Sequence, residues 1–190
     1  MAKALSDVRM TVAEFVLWHD GTDTRHKLVD GRPVAMSPPS GRHAVICHSI
    51  FRALDRRLRS PCGAMFGARV ARDLAGGECR MPDLSVVRVP MPEHVILNAQ
   101  LVTEVMGPAT EGDDRTDKLD FYKGLPSIET VLLVWETKRR VQLHTREEPR
   151  WIAQDFTGAS IVPLAGLGIQ LPLDEIYAGV EFPVPSPPCV

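Results

Sequence analysis

Residues 83–89 and 101–106 are short apolar runs, rich in β-branched residues and without an internal proline, the pattern of central strands. Residues 129–135, 140–145 and 151–156 continue in the same vein, so the C-terminal half reads as strand-rich. Residues 64–70 are a further strand candidate, and Gly76–Gly77 marks a turn. Helical spacing begins elsewhere. Cys47, Phe51, Leu54 and Leu58 recur on one face of a predicted helix over 42–59, with Ser40 as its N-cap and Pro61 as its stop. Residues 114–124 predict a second helix, and Thr11 with Glu14 forms a capping box opening a short one to residue 18. Asp30–Gly31 between residues 25–29 and 33–36 predicts a β-hairpin. Residues 173–178 predict a last helical turn or two. Strands before and after isolated helices indicate an α/β or α+β fold with a mixed β-sheet flanked by helices. Residues 1–180 are expected to form one domain and residues 181–190 a loose proline-rich tail.

Composition narrows the function classes. The chain has 190 residues, 44% hydrophobic and 24% charged, with a net charge of −2. That excludes a general polyanion binder, so any contact with nucleic acid must come from a local patch. No apolar run approaches the ~20 residues of a membrane span. The first nine residues lack the apolar core of a signal peptide, which predicts a cytoplasmic protein. Cys47, Cys62, Cys79 and Cys189 contain no C-x-x-C spacing and read as reduced thiols. His43 and Cys47 stand four apart on a predicted helix, a metal-ligand spacing, but no further residue in the sequence completes a zinc set.

Two acidic residues are out of place in this pattern. Asp83 opens one apolar strand and Glu104 interrupts another. A carboxylate in such a run is costly unless it is paired or binds a metal. Asp114 and Lys118 follow, four apart and so on one helix face. Two carboxylates and a lysine are the parts that metal-dependent phosphodiester hydrolysis needs: ligands for a cation, and a positive charge near the phosphate or water. The plain alternative is a strand-entry Asp83, a solvent-facing Glu104 and a surface Asp114–Lys118 pair. Arg52, Arg56, Arg57 and Arg59 read equally as a solvated helix face or as contacts to a DNA backbone.

Several segments occur together in order. They are Met10 to Phe15, Leu28 to Val34, Arg42–His43, Pro82–Asp83, Glu104 to Thr110, Asp114 to Lys118 through Tyr122, Leu167 to Leu173, and Ile176 to Gly179. In these the chain resembles the Uma-type "putative restriction endonuclease" family, a branch of the PD-(D/E)XK nuclease superfamily. The resemblance implies a restriction-endonuclease-like fold with extra C-terminal strands. It implies Asp83 and Glu104 as metal carboxylates, Mg²⁺ as cofactor with Mn²⁺ as a substitute, and DNA as partner. The superfamily's lysine two residues after the glutamate is replaced here by Met106, and the family places that lysine on the next helix, at Lys118. Asp114, Tyr122 and His43 are expected to support the site, and Arg52, Arg56 and Arg57 to meet DNA. Two positions depart from the family. Lys27 stands where an acidic residue is usual, and Gly107 to Thr110 replace a Ser-Pro-Ser-Thr segment. The expected activity is a Mg²⁺-dependent DNA endonuclease, with a homodimer suited to cutting two strands. The rival readings are a nuclease fold impaired by Lys27 and Met106 that retains nucleic-acid or partner binding, and a hydrolase of small phosphoesters.

Overall fold

The computed structural model describes residues 9–90, 93–108 and 113–182, with the backbone alone at residues 113–115. Helix α1 (Val12–Leu17) opens on the predicted capping box, with the Thr11 and Glu14 side chains each bonding the other's backbone N–H. β1 (His26–Val29) and β2 (Arg32–Ala35) form the predicted hairpin. Asp30 and Gly31 both take positive φ, 49° and 72°, as a tight turn matching strand twist requires. α2 (Gly41–Asp55) is capped by Ser40, whose Oγ accepts from the His43 N–H. It ends four residues before the expected boundary at residue 59. The Arg57 and Leu58 N–H groups both turn onto the Leu54 carbonyl, and the Arg57 side chain takes the Ala53 carbonyl and Glu175.

The single strand expected over 64–70 is two strands, β3 (Cys62–Phe66) and β4 (Arg69–Ala71). Gly67, at φ 49°, turns the chain between them, and they enter different sheets. Next come β5 (Cys79–Arg80), β6 (Leu84–Arg88), β7 (Val95–Ile96), β8 (Leu101–Met106), α3 (Asp113–Lys123), β9 (Thr130–Trp135), β10 (Arg140–Glu147) and β11 (Arg150–Thr157). β12 (Ile161–Leu164), β13 (Ile169–Pro172) and α4 (Leu173–Ile176) complete the described chain. The two-residue strands β5 and β7 and the hairpin β12–β13 are absent from the expected pattern, being too short or too interrupted by proline and glycine to show alternation. Of the proline-rich tail, residues 183–190 lie outside the described residues.

The fold is α+β with mixed sheets. The main sheet runs β11-β10-β9-β8-β6-β3, and a second runs β2-β1-β5-β4-β7. Within the main sheet only β8 and β9 are parallel. A parallel pair needs a crossover, and α3 supplies it. Side-chain alternation divides the sheet into two cores. Leu84, Val86, Leu101, Val105, Leu132 and Val134 pack with Ile46, Ile50 and Leu54 of α2, and with β12, β13 and α4. Val87, Val102, Met106, Val131, Leu133 and Trp135 pack on the other side with Tyr122 of α3. A third cluster joins α1 to the second sheet through Val12, Phe15, Leu28 and Cys79.

The second sheet holds a test of this packing. A Cβ on Gly77 would lie 2.8 Å from the Gly31 backbone nitrogen, and that N–H donates to the Gly77 carbonyl. Gly77→Ala is therefore expected to cost about 1–3 kcal/mol, the usual penalty of overpacking, as a lower urea midpoint at unchanged slope.

Candidate active site

The crossover decides which side chains meet. Glu104 falls on the face of β8 shared by Val102 and Met106, the face α3 covers. Lys118 and Tyr122 stand four apart on α3 and so present one face to it. The Lys118 Nζ lies 2.9 Å from Glu104 Oε2, and the Tyr122 hydroxyl donates to Oε1 at 2.6 Å. Glu104 is 3% exposed. Burial raises its pKa, the Lys118 charge opposes that, and the Asp83 charge adds to it. Burial and the neighbouring Glu104 push the Tyr122 phenol well above its usual range, so it stays a hydrogen-bond donor. Met106, on the same face of β8, is buried in the core beneath α3.

Asp83 faces Glu104 from the next strand. The antiparallel ladder pairs Leu84 with Thr103 and Ser85 with Val102, so one further step in that register sets Asp83 opposite Glu104. Asp83 Oδ2 accepts the Val105 N–H at 2.8 Å. His43 Nε2, from the first turn of α2, lies 3.1 Å from the same oxygen. Burial disfavours the His43 imidazolium, but the Asp83 hydrogen bond and charge, with Glu136 and Glu104 beyond, outweigh it and raise the His43 pKa. The other ring nitrogen, Nδ1, lies 3.5 Å from Cys47 Sγ.

The site therefore lies at one end of the main sheet, where helices from both faces converge. Glu104 is near the carboxyl end of β8, and Glu136 just past that of β9. In open α/β sheets ligands collect beyond the carboxyl ends of parallel strands. Glu136 accepts from Ser40 Oγ at 2.8 Å, and a Cβ on Gly107 would come within 2.9 Å of its Oε1. Glu136 was not anticipated from the sequence. It follows an apolar strand like any turn residue, and only its place beside a parallel neighbour marks it.

The remaining expected residues lie on β1, on or just past α2, or outside the described side chains. Lys27 is on β1 of the second sheet, opposite Val34 and half-buried. The Asp114 side chain lies outside the described residues. Arg57 forks onto Glu175 at 2.6 and 2.9 Å, and Arg56 lies 3.5 Å from the same carboxylate. They sit at the far end of α2, about 20 Å from His43 at 1.5 Å per residue. Arg52 is exposed.

Residues 12–174 match the Uma2 family, described as "Putative restriction endonuclease". The chain belongs to this family. It is similar to two uncharacterized proteins of Synechocystis sp. (strain PCC 6803). With slr1290 it is 24% identical, over 92% of this chain and 94% of that protein. With sll1609 it is 20% identical, over 78% and 88%. The fold is similar to the crystal structure of a "putative nuclease belonging to DUF820" from Anabaena variabilis, with a TM-score of 0.69 and 16% identity, over 89% of this chain and 98% of that one. The family is thus one described as a restriction endonuclease, and the fold is shared with a protein titled a "putative nuclease". Among the described residues, no helix is long and apolar enough to cross a membrane.

A buried ion pair that loses one partner leaves an uncompensated charge, typically at 3–5 kcal/mol. Lys118→Met is expected to destabilise the Uma2 protein by about 3 kcal/mol in urea unfolding. Tyr122→Phe, which removes one hydrogen bond to a charged acceptor, should cost about 1.5–3 kcal/mol.

Proposed function

We propose that this Uma2 protein is a Mg²⁺-dependent DNA endonuclease. The observation that carries the reading is the facing pair Asp83–Glu104, with Lys118 bound to Glu104. The donor chemistry fits: two carboxylates are hard oxygen ligands of the kind Mg²⁺ takes, one or two at a time beside substrate phosphates. Each oxygen of Glu104 keeps a lone pair beyond its present bond. When bound, the ion would activate a water and polarise the scissile phosphate.

The chain's own side chains do the rest. Val105 N–H and His43 hold Asp83 in one orientation. Tyr122 fixes Glu104 so that Oε2 meets Lys118. Lys118 can then turn its ammonium to the developing charge on the phosphate without leaving the pocket. Arg52, with Arg56 and Arg57 along α2, would track the DNA backbone, and a homodimer would present two such sites. Cys47, Cys62 and Cys79 are free thiols, in keeping with a cytoplasmic setting.

A second reading has its own observation. Both Glu104 oxygens already bond within the protein, and Lys27 replaces the family's acidic residue. A nuclease fold reduced to binding would look the same in these respects.

Plasmid nicking in Mg²⁺ separates the two. Glu104→Gln and Asp83→Asn are each expected to lower the cleavage rate at least about 100-fold, as loss of a group that stabilises transition-state charge does. Cleavage by Glu104→Gln at the wild-type rate overturns the assignment. DNA binding without cleavage by the wild-type protein, unrelieved by Lys27→Glu, supports the binding-only reading. DNA affinity should also fall steeply with salt, and Arg52→Ala should flatten that slope by about one.

A further inference from the structure

Beside the carboxylate pair is a second donor set of a different chemical kind. His43, Cys47 and Asp83 each bring one ligand-capable atom, and these lie within 4.8 Å of one another. His43 and Cys47 are held on consecutive turns of α2, where i and i+4 residues share a face. Their Nδ1 and Sγ atoms are 3.5 Å apart. A tetrahedral zinc with bonds of about 2.0 Å to nitrogen and 2.3 Å to sulfur has an N···S edge of about 3.5 Å. The helix therefore already sets these two atoms at the spacing that the ion would impose. His43 and Asp83 are partly exposed at 16% and 21%, so an ion can enter from their side, while Cys47 forms the buried floor at 6% exposure.

We propose that this cluster is a soft-metal site that takes Zn²⁺, Co²⁺ or Cd²⁺ through Cys47 Sγ, His43 Nδ1 and the Asp83 carboxylate, with water as the fourth ligand. Thiolate and imidazole donors favour such ions over Mg²⁺. On binding, the Cys47 thiol proton passes to solvent as the metal–sulfur bond forms, with no change of oxidation state. Asp83 completes the set by leaving its contact with His43 Nε2. The same carboxylate serves the proposed Mg²⁺ site, so a soft ion bound here withdraws it from Glu104 and inhibits cleavage. This last consequence rests on the nuclease reading; the binding does not.

The test is Co²⁺ titration of the full chain under reducing conditions, followed by absorbance. One ion per chain is expected, with an intense sulfur-to-cobalt charge-transfer band that excess Mg²⁺ leaves unchanged and Zn²⁺ removes. Cys47→Ser should abolish the band, and Cys62→Ser, Cys79→Ser and Cys189→Ser should keep it. Asp83→Asn should weaken Co²⁺ binding at least about tenfold, the order expected for loss of a coordinating or orienting partner. A band retained in Cys47→Ser, or no band in the wild type, overturns the proposal. X-ray absorption of the Zn²⁺-loaded wild type needs no variant: a sulfur neighbour at about 2.3 Å is expected, and an all-oxygen-and-nitrogen shell refutes it. Cleavage that Zn²⁺ inhibits in proportion to filling of the site supports the shared-Asp83 consequence. A cobalt band in a protein with no Mg²⁺-dependent cleavage keeps the metal site and removes the nuclease reading; cleavage without a band does the reverse.

Discussion

Everything at the end of the main sheet is arranged around one buried carboxylate. Glu104 has almost no contact with water, and an isolated charge there would be costly enough to neutralise or expel it. Lys118 and Tyr122 supply the compensation, and both come from the helix that joins β8 to β9. The parallel pairing of those strands is thus more than a matter of topology. It obliges the chain to cross over the face on which Glu104 projects, so the connection that builds the sheet also delivers the groups that hold the charge.

Asp83 belongs to the opposite side of the same problem. It is tethered to β8 through the Val105 N–H and to α2 through His43. One carboxylate therefore reads the position of the helix on one face, and its partner reads the helix on the other. The two cores meet electrostatically at this point, although their apolar side chains never mix across the sheet.

Much of this was legible in the chain. The capping box at Thr11, the Asp30–Gly31 hairpin, and strands β6, β8, β9, β10 and β11 follow from capping and turn chemistry and from short apolar, β-branched runs, which are local. Asp83 and Glu104 stood out because a charge contradicts its apolar surroundings, and Lys118 because a helix came next. What escaped was non-local. The division of residues 64–70 between two sheets depends on which partners each half finds, and only a left-handed Gly67 hints at it. The C-terminal end of α2 involves Glu175, more than a hundred positions away in the sequence. Glu136 gains its meaning from β8 beside it. The pairing of His43 with Cys47 was visible as a spacing, but the third member of that group, Asp83, is brought in by the fold.

Gly107 shows how such a site couples neighbouring positions. In this chain the space beside the Gly107 α-carbon is taken by the Glu136 carboxylate, which is tied in turn to the Ser40 cap of α2. A side chain added at residue 107 would meet the flexible end of Glu136, which has to swing aside and shift its bond to the Ser40 hydroxyl. The two positions are coupled through space: what residue 107 carries sets where the Glu136 carboxylate can rest, and with it the bond that reaches the start of α2.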